Sequence, residues 1–135
     1  NPASPGVADG AIKAIRQALN NAGWPDIDGV CAHAPSTMVG DIMEYESIVS
    51  LLPDASIFSP KSKTGHTLGA CGILETIYCL EAGKEGMLPP IHNLENFYFD
   101  TVNLVRRNTV TKGRFFLNNS FAFGGKNMSQ VIEVF

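Results

Sequence analysis

At 135 residues with a formal net charge of −3 at pH 7, the chain has room for one hydrophobic core and no cationic excess, which argues against binding a polyanion. No apolar run approaches the roughly 20 residues of a membrane-spanning helix, and the opening Asn1-Pro2-Ala3-Ser4-Pro5-Gly6 lacks a signal-peptide pattern. A cytoplasmic protein with neither a membrane nor a nucleic-acid partner is expected.

Asn1 to Val7 has no periodicity and reads as a loop or linker. Ala11, Ile12, Ile15, Ala18 and Leu19 then recur at helical spacing, with Gly23 placed to cap the C-terminus of an amphipathic helix. A turn through Pro25 to Gly29 leads into Val30-Cys31-Ala32-His33, a short apolar run that predicts a buried strand with His33 at its exit. The loop from His33 to Asp41 follows. Asp41 is placed to cap the next helix, whose apolar face is Ile42, Tyr45, Ile48, Val49 and Leu52 and which Pro53 stops. Ala55 to Phe58 reads as a second short strand, feeding the loop Ser59-Pro60-Lys61.

In the stretch Lys61 to Gly72, Gly65, Gly69 and Gly72 fall at i, i+4 and i+7, the spacing of one helix face. Each glycine inside a helix costs about 1 kcal/mol relative to alanine, so close approach of another backbone along that face is expected. Apolar residues on the other sides, through Leu80, predict a helix buried nearly all round and ending near Gly83. His66 would then stand at the positive end of that helix as a neutral, hydrogen-bond-donating ring.

Met87 to Leu94 is extended by its prolines, and Val102 to Val105 reads as a further strand. Arg114 to Leu117 and Ser129 to Phe135 are β-rich runs flanking a glycine turn. The order α-β-α-β-α-β-β-β predicts one α/β domain over residues 1–135, a mixed sheet layered with helices around a buried central one. Cys31, Cys71 and Cys79 lack the spacing of a zinc site and read as reduced, buried thiols, with no metal expected.

Three segments resemble, in register, the C-terminal half of the β-ketoacyl-acyl-carrier-protein synthases, members of the thiolase-like condensing enzymes. His33 to Thr37 with Gly40-Asp41 matches the family's HGTGT-type loop, Lys61 to Gly72 its KxxxGHxxGAAG segment, and Asn119 to Asn127 its NSFGFGGxN turn. The resemblance implies decarboxylative Claisen condensation of acyl and malonyl thioesters, in fatty acid or polyketide synthesis, by an acyltransferase that uses no separate cofactor because its substrates ride on the phosphopantetheine of acyl carrier protein. By the family's pattern His33 and His66 stabilise the enolate, Lys61 supports them electrostatically, Thr37 contacts the pantetheine arm, and Phe123 with Gly124 and Gly125 forms the gate and part of an acyl oxyanion hole. Two preorganised donors at an enolate oxygen suit that chemistry, since one oxyanion donor is worth about 3 kcal/mol.

Pro35 stands where the family usually has threonine, Ala122 replaces a glycine beside the gate, and Cys71 replaces an alanine. The family's nucleophilic cysteine belongs to an N-terminal half with no counterpart here, so the resemblance implies a fragment, inactive alone, whose partners are that half, acyl carrier protein and a second subunit in a homodimer or ketosynthase-type heterodimer. A non-catalytic partner subunit of the chain-length-factor type is the alternative. Other readings stand beside these: Lys61 as an ordinary loop cation, Phe121 and Phe123 as alternate faces of a strand end, His92 as a solvated loop residue. A Cys71–His66 hydrolase is conceivable but disfavoured, because a cysteine inside an apolar helix has a raised pKa.

Overall fold

The computed structural model describes residues 5–95 and 103–135. Helix α1 (Pro5–Asn21) begins within the expected N-terminal loop, of which 1–4 lie outside the described residues. Proline suits a first helical turn, where its missing N–H leaves no bond unmade. Strand β1 (Gly29–Cys31), helix α2 (Met38–Leu51), strand β2 (Ile57–Phe58), the short helix α3 (Lys61–Thr64) and helix α4 (Cys71–Glu85) follow. Two short strands, β3 (Met87–Leu88) and β4 (Thr109–Val110), pair with each other, and β5 (Phe115–Ala122) and β6 (Lys126–Glu133) form a long hairpin.

The main sheet runs β2-β1-β5-β6, with β2, β1 and β5 parallel and β6 antiparallel. The Asp28 carboxylate accepts the backbone N–H groups of Arg114 and Phe115 at 2.8 and 2.9 Å, pinning the start of β5 beside β1. Alternation along the parallel strands splits the core in two. Val30, Ile57 and Leu117 pack with Ile15, Leu19 and Ile48 of α1 and α2. Cys31, Phe58 and Phe116 pack on the opposite face with Cys79 and Ala82 of α4. Each large side chain so buried contributes about 1.5–3 kcal/mol.

Four local expectations change. Thr37, not Asp41, is the N-cap of α2 and its side chain makes no cap bond; Asp41 lies inside the first turn and accepts backbone N–H groups of Ser36 and Thr37. The buried stripe of α2 is Met43, Glu44, Ser47 and Ile48, with Tyr45, Val49 and Leu52 only partly covered, because two polar groups on that face find buried partners. The glycines of 65–72 do not share a helix face: Gly65 ends α3 at φ +72°, and a Cβ on Gly69 would meet nothing within 4 Å. The close backbone approach is elsewhere, since a Cβ on Gly83 would lie 2.6 Å from the Gly113 carbonyl oxygen.

Finally, α4 is central but covered on one side within these residues: Cys71, Glu75, Cys79 and Ala82 are buried, whereas Ile73 and Ile77 are 63% and 48% exposed. It ends at Glu85, where Gly86 takes the left-handed cap. Of the strand expected at Val102 to Val105, Val102 lies outside the described residues and Leu104 makes a single parallel bridge to Ile57. No helix among the described residues is long and apolar enough to cross a membrane.

Candidate active site

β1 ends at Cys31, and the chain leaves the sheet through Ala32 into His33, so a rigid parallel strand aims the first histidine. The turn after it is held from α2. Glu44, wholly buried, accepts the N–H of His33 at 2.8 Å on one carboxylate oxygen and the N–H of Ala34 at 2.8 Å on the other. Asn119 of β5 donates to the same carboxylate at 3.1 Å and accepts from Ser129 at 2.8 Å. Burial raises the Glu44 carboxyl to about 7, against the lowering effect of these three donors. The clamp also sustains Ala34 at φ +29°, a strained conformation for an L-residue.

Lys61 opens α3 and is buried, with its ammonium paired to Glu75 of α4; the two side chains are 5% and 2% exposed. Burial raises the Glu75 carboxyl and the Lys61 charge pulls it down. The same ammonium lies 3.4 Å from Nδ1 of His33. An ammonium donates and cannot accept, so Nδ1 is the acceptor and Nε2 carries the ring proton. Burial first, then the charges of Lys61 and His66, lower the His33 pKa to about 4, so the ring is neutral at physiological pH.

His66 does not sit at a helix N-terminus. It follows the Gly65 cap of α3 and precedes a 3-10 turn, Leu68–Ala70, that leads into α4, and it is exposed. Its tautomer is fixed by a donor at the start of that turn. The Leu68 N–H donates to Nδ1 at 3.0 Å, which again leaves the proton on Nε2. Leu68 makes that contact at φ +53°, a left-handed conformation costing about 1–2 kcal/mol. The Cys71 thiol also lies 3.2 Å from Nδ1. Cys71 is the first residue of α4, not an interior one, and it is buried.

The two rings stand edge to face, 5.6 Å between centroids at 87°, and Phe121 lies 6.2 Å from His33. A cavity of about 690 Å³ opens beside His66, lined among others by Ala34, Thr37, Asp41, Lys61, His66 and His92, with His33 not among its lining residues. The fold thus brings together His33, His66 and Lys61 and sets Thr37 on the cavity that Lys61 and His66 line. Phe123, Gly124 and Gly125 are not among its lining residues: Phe123 is fully exposed, and the glycines take φ +75° and +72° at the hairpin tip. His92 is exposed at the rim, its N–H donating to Ser62 at 2.9 Å.

Glu44 and Glu75 are the residues that sequence reasoning passed over. Each is a single carboxylate on a face otherwise apolar or small, four residues before Ile48 and Cys79 respectively, and a buried charge there demands a partner. Among the described residues no group of three or more His, Cys, Asp or Glu could hold a metal ion.

Residues 3–95 match the family model of the β-ketoacyl synthase C-terminal domain. The chain is 34% identical over 129 residues to 3-oxoacyl-(acyl-carrier-protein) synthase 1 of Escherichia coli strain K12, covering 93% of this chain and 32% of that protein. Among solved structures it resembles the ishigamide ketosynthase/chain length factor, with TM-score 0.88 and 32% identity over 95% of this chain and 33% of that one. It also resembles a β-ketoacyl synthase from Burkholderia phymatum STM815, with TM-score 0.86 and 31% identity over 99% and 33%. The chain therefore spans about a third of the length of these relatives. Its mixed sheet and helices are those of the thiolase-like α/β fold. The chain belongs to the β-ketoacyl synthase family, matching its C-terminal domain.

Proposed function

We propose that this chain, as one domain, supplies the enolate-stabilising half of a β-ketoacyl-acyl-carrier-protein synthase. Decarboxylation of a malonyl thioester leaves negative charge on the thioester oxygen, and the site answers it with two Nε2–H donors. The observation that carries this reading is that both Nδ1 atoms already accept, from Lys61 on His33 and from Leu68 on His66. Neither donor has to reorganise when charge develops, which is where oxyanion stabilisation gains its magnitude. Lys61 holds His33 in register and adds positive charge beside the developing anion.

Thr37 contacts the pantetheine arm of acyl carrier protein at the cavity mouth, and Phe123 on its Gly124-Gly125 hinge gates the acyl chain. The nucleophilic cysteine comes from polypeptide outside these residues, since Cys31, Cys71 and Cys79 are all buried. That N-terminal half covers the exposed Ile73 and Ile77 of α4, and these residues alone are inactive. The assembly is a homodimer or a ketosynthase-type heterodimer, its substrates carried on phosphopantetheine with no separate cofactor.

A second reading, a chain-length-factor-like partner subunit, is favoured by the likeness to the ishigamide ketosynthase/chain length factor and by Ala122 beside the gate. Incubating the full-length protein with a radiolabelled acyl donor separates the two. Covalent acyl loading followed by condensation with malonyl carrier protein supports the synthase; absence of loading in a protein that binds a ketosynthase supports the partner subunit.

A further inference from the structure

We propose that Cys71 is a positioning residue for His66, an inference that rests on the enolate-binding reading above. Two donors converge on the Nδ1 atom of His66: the Leu68 N–H at 3.0 Å and the Cys71 thiol at 3.2 Å. The thiol in turn accepts from the Thr67 hydroxyl at 3.4 Å, which orients its own proton toward the ring. The Leu68 amide belongs to an exposed turn and a left-handed residue, whereas Cys71 is buried on the first turn of a 15-residue helix.

The placement on α4 gives the contact its meaning. Cys71 and Glu75 are four residues apart on one helix face. Glu75 fixes the Lys61 ammonium that meets Nδ1 of His33, and Cys71 meets Nδ1 of His66. One buried stripe of α4 thus sets the tautomer of both histidines, through a carboxylate–ammonium relay on one side and a thiol on the other. Substitution of the thiol leaves His66 held by a single amide on a strained turn.

The test is the ring-nitrogen chemical shifts of His66 in the intact protein, for wild type, Cys71→Ala and Cys71→Ser. In wild type Nδ1 is unprotonated. Loss of one weak donor in Cys71→Ala raises the Nδ1–H tautomer about fivefold, and the serine hydroxyl of Cys71→Ser restores the wild-type ratio. An unchanged tautomer ratio in Cys71→Ala overturns the proposal, with Leu68 alone then sufficient. A ratio that moves in a protein whose malonyl decarboxylation does not depend on His66 sinks the enolate reading instead and leaves the positioning role standing.

Discussion

The Lys61 ammonium lies 3.4 Å from Nδ1 of His33 while it is paired with Glu75, so one buried cation both fixes the tautomer of a histidine and neutralises a carboxylate from another helix. Its charge also lowers the His33 pKa, second only to burial. Replacing Lys61 by methionine removes that charge, and the titration midpoint of His33, followed by NMR, is expected to move up from about 4 toward the ordinary 6.5. A midpoint unchanged in Lys61→Met assigns the depression to burial and His66 without Lys61.

The Lys61–Glu75 pair is buried on both sides, so breaking it costs far more than deleting it. Lys61→Met strands the Glu75 carboxylate and is expected to lower unfolding free energy by about 3–5 kcal/mol at neutral pH. The double variant Lys61→Met, Glu75→Leu recovers most of that loss in denaturant titration. Single and double variants of equal stability contradict the pairing.

Glu44 predicts a pH signature. Its carboxyl is raised from 4.5 to about 7 by burial, so the folded state prefers the protonated form; this contribution is full below pH 4.5 and is lost as pH rises to about 7. His33, lowered from 6.5 to about 4, acts oppositely: its contribution is full above pH 6.5 and is lost as pH falls toward 4. Between these limits the two slopes oppose each other. Glu44→Gln gives up one of the amide contacts and is less stable throughout, but its deficit relative to wild type shrinks as pH rises from 4.5 to 7. A deficit independent of pH removes Glu44 as the titrating group.

Glycine substitutions separate the observed packing from the helix face expected from 65, 69 and 72. Gly69→Ala meets open space and is expected to change stability by no more than about 0.5 kcal/mol. Gly83→Ala places a Cβ 2.6 Å from the Gly113 carbonyl oxygen, and neither backbone can yield cheaply, so a loss of about 2 kcal/mol or more is expected. The reverse order in thermal unfolding would restore the shared glycine face.

Much of this architecture was legible in the sequence. Periodicity located α1, α2 and α4, and the β-rich runs around Asn119 to Asn127 marked the hairpin, because these patterns arise from one buried side. The three motifs in register singled out His33, His66 and Lys61, which the fold brings together, but their geometry was not legible. The failures share a cause: tertiary partners decide what local pattern cannot. Gly65 ends a one-turn helix, and Glu44 and Glu75 are buried because His33, Ala34 and Lys61 receive them. The Glu44 and Glu75 contacts are too distant along the chain to leave a periodic trace.

Release of carbon dioxide from a malonyl thioester by the full-length protein tests the paired histidines most directly. His33→Ala and His66→Ala are each expected to slow it by about 10²–10³, the usual loss for one oxyanion donor. The double variant should fall short of the product of the two, since both donors serve one oxygen. Decarboxylation at the wild-type rate in either single variant would contradict a shared enolate site.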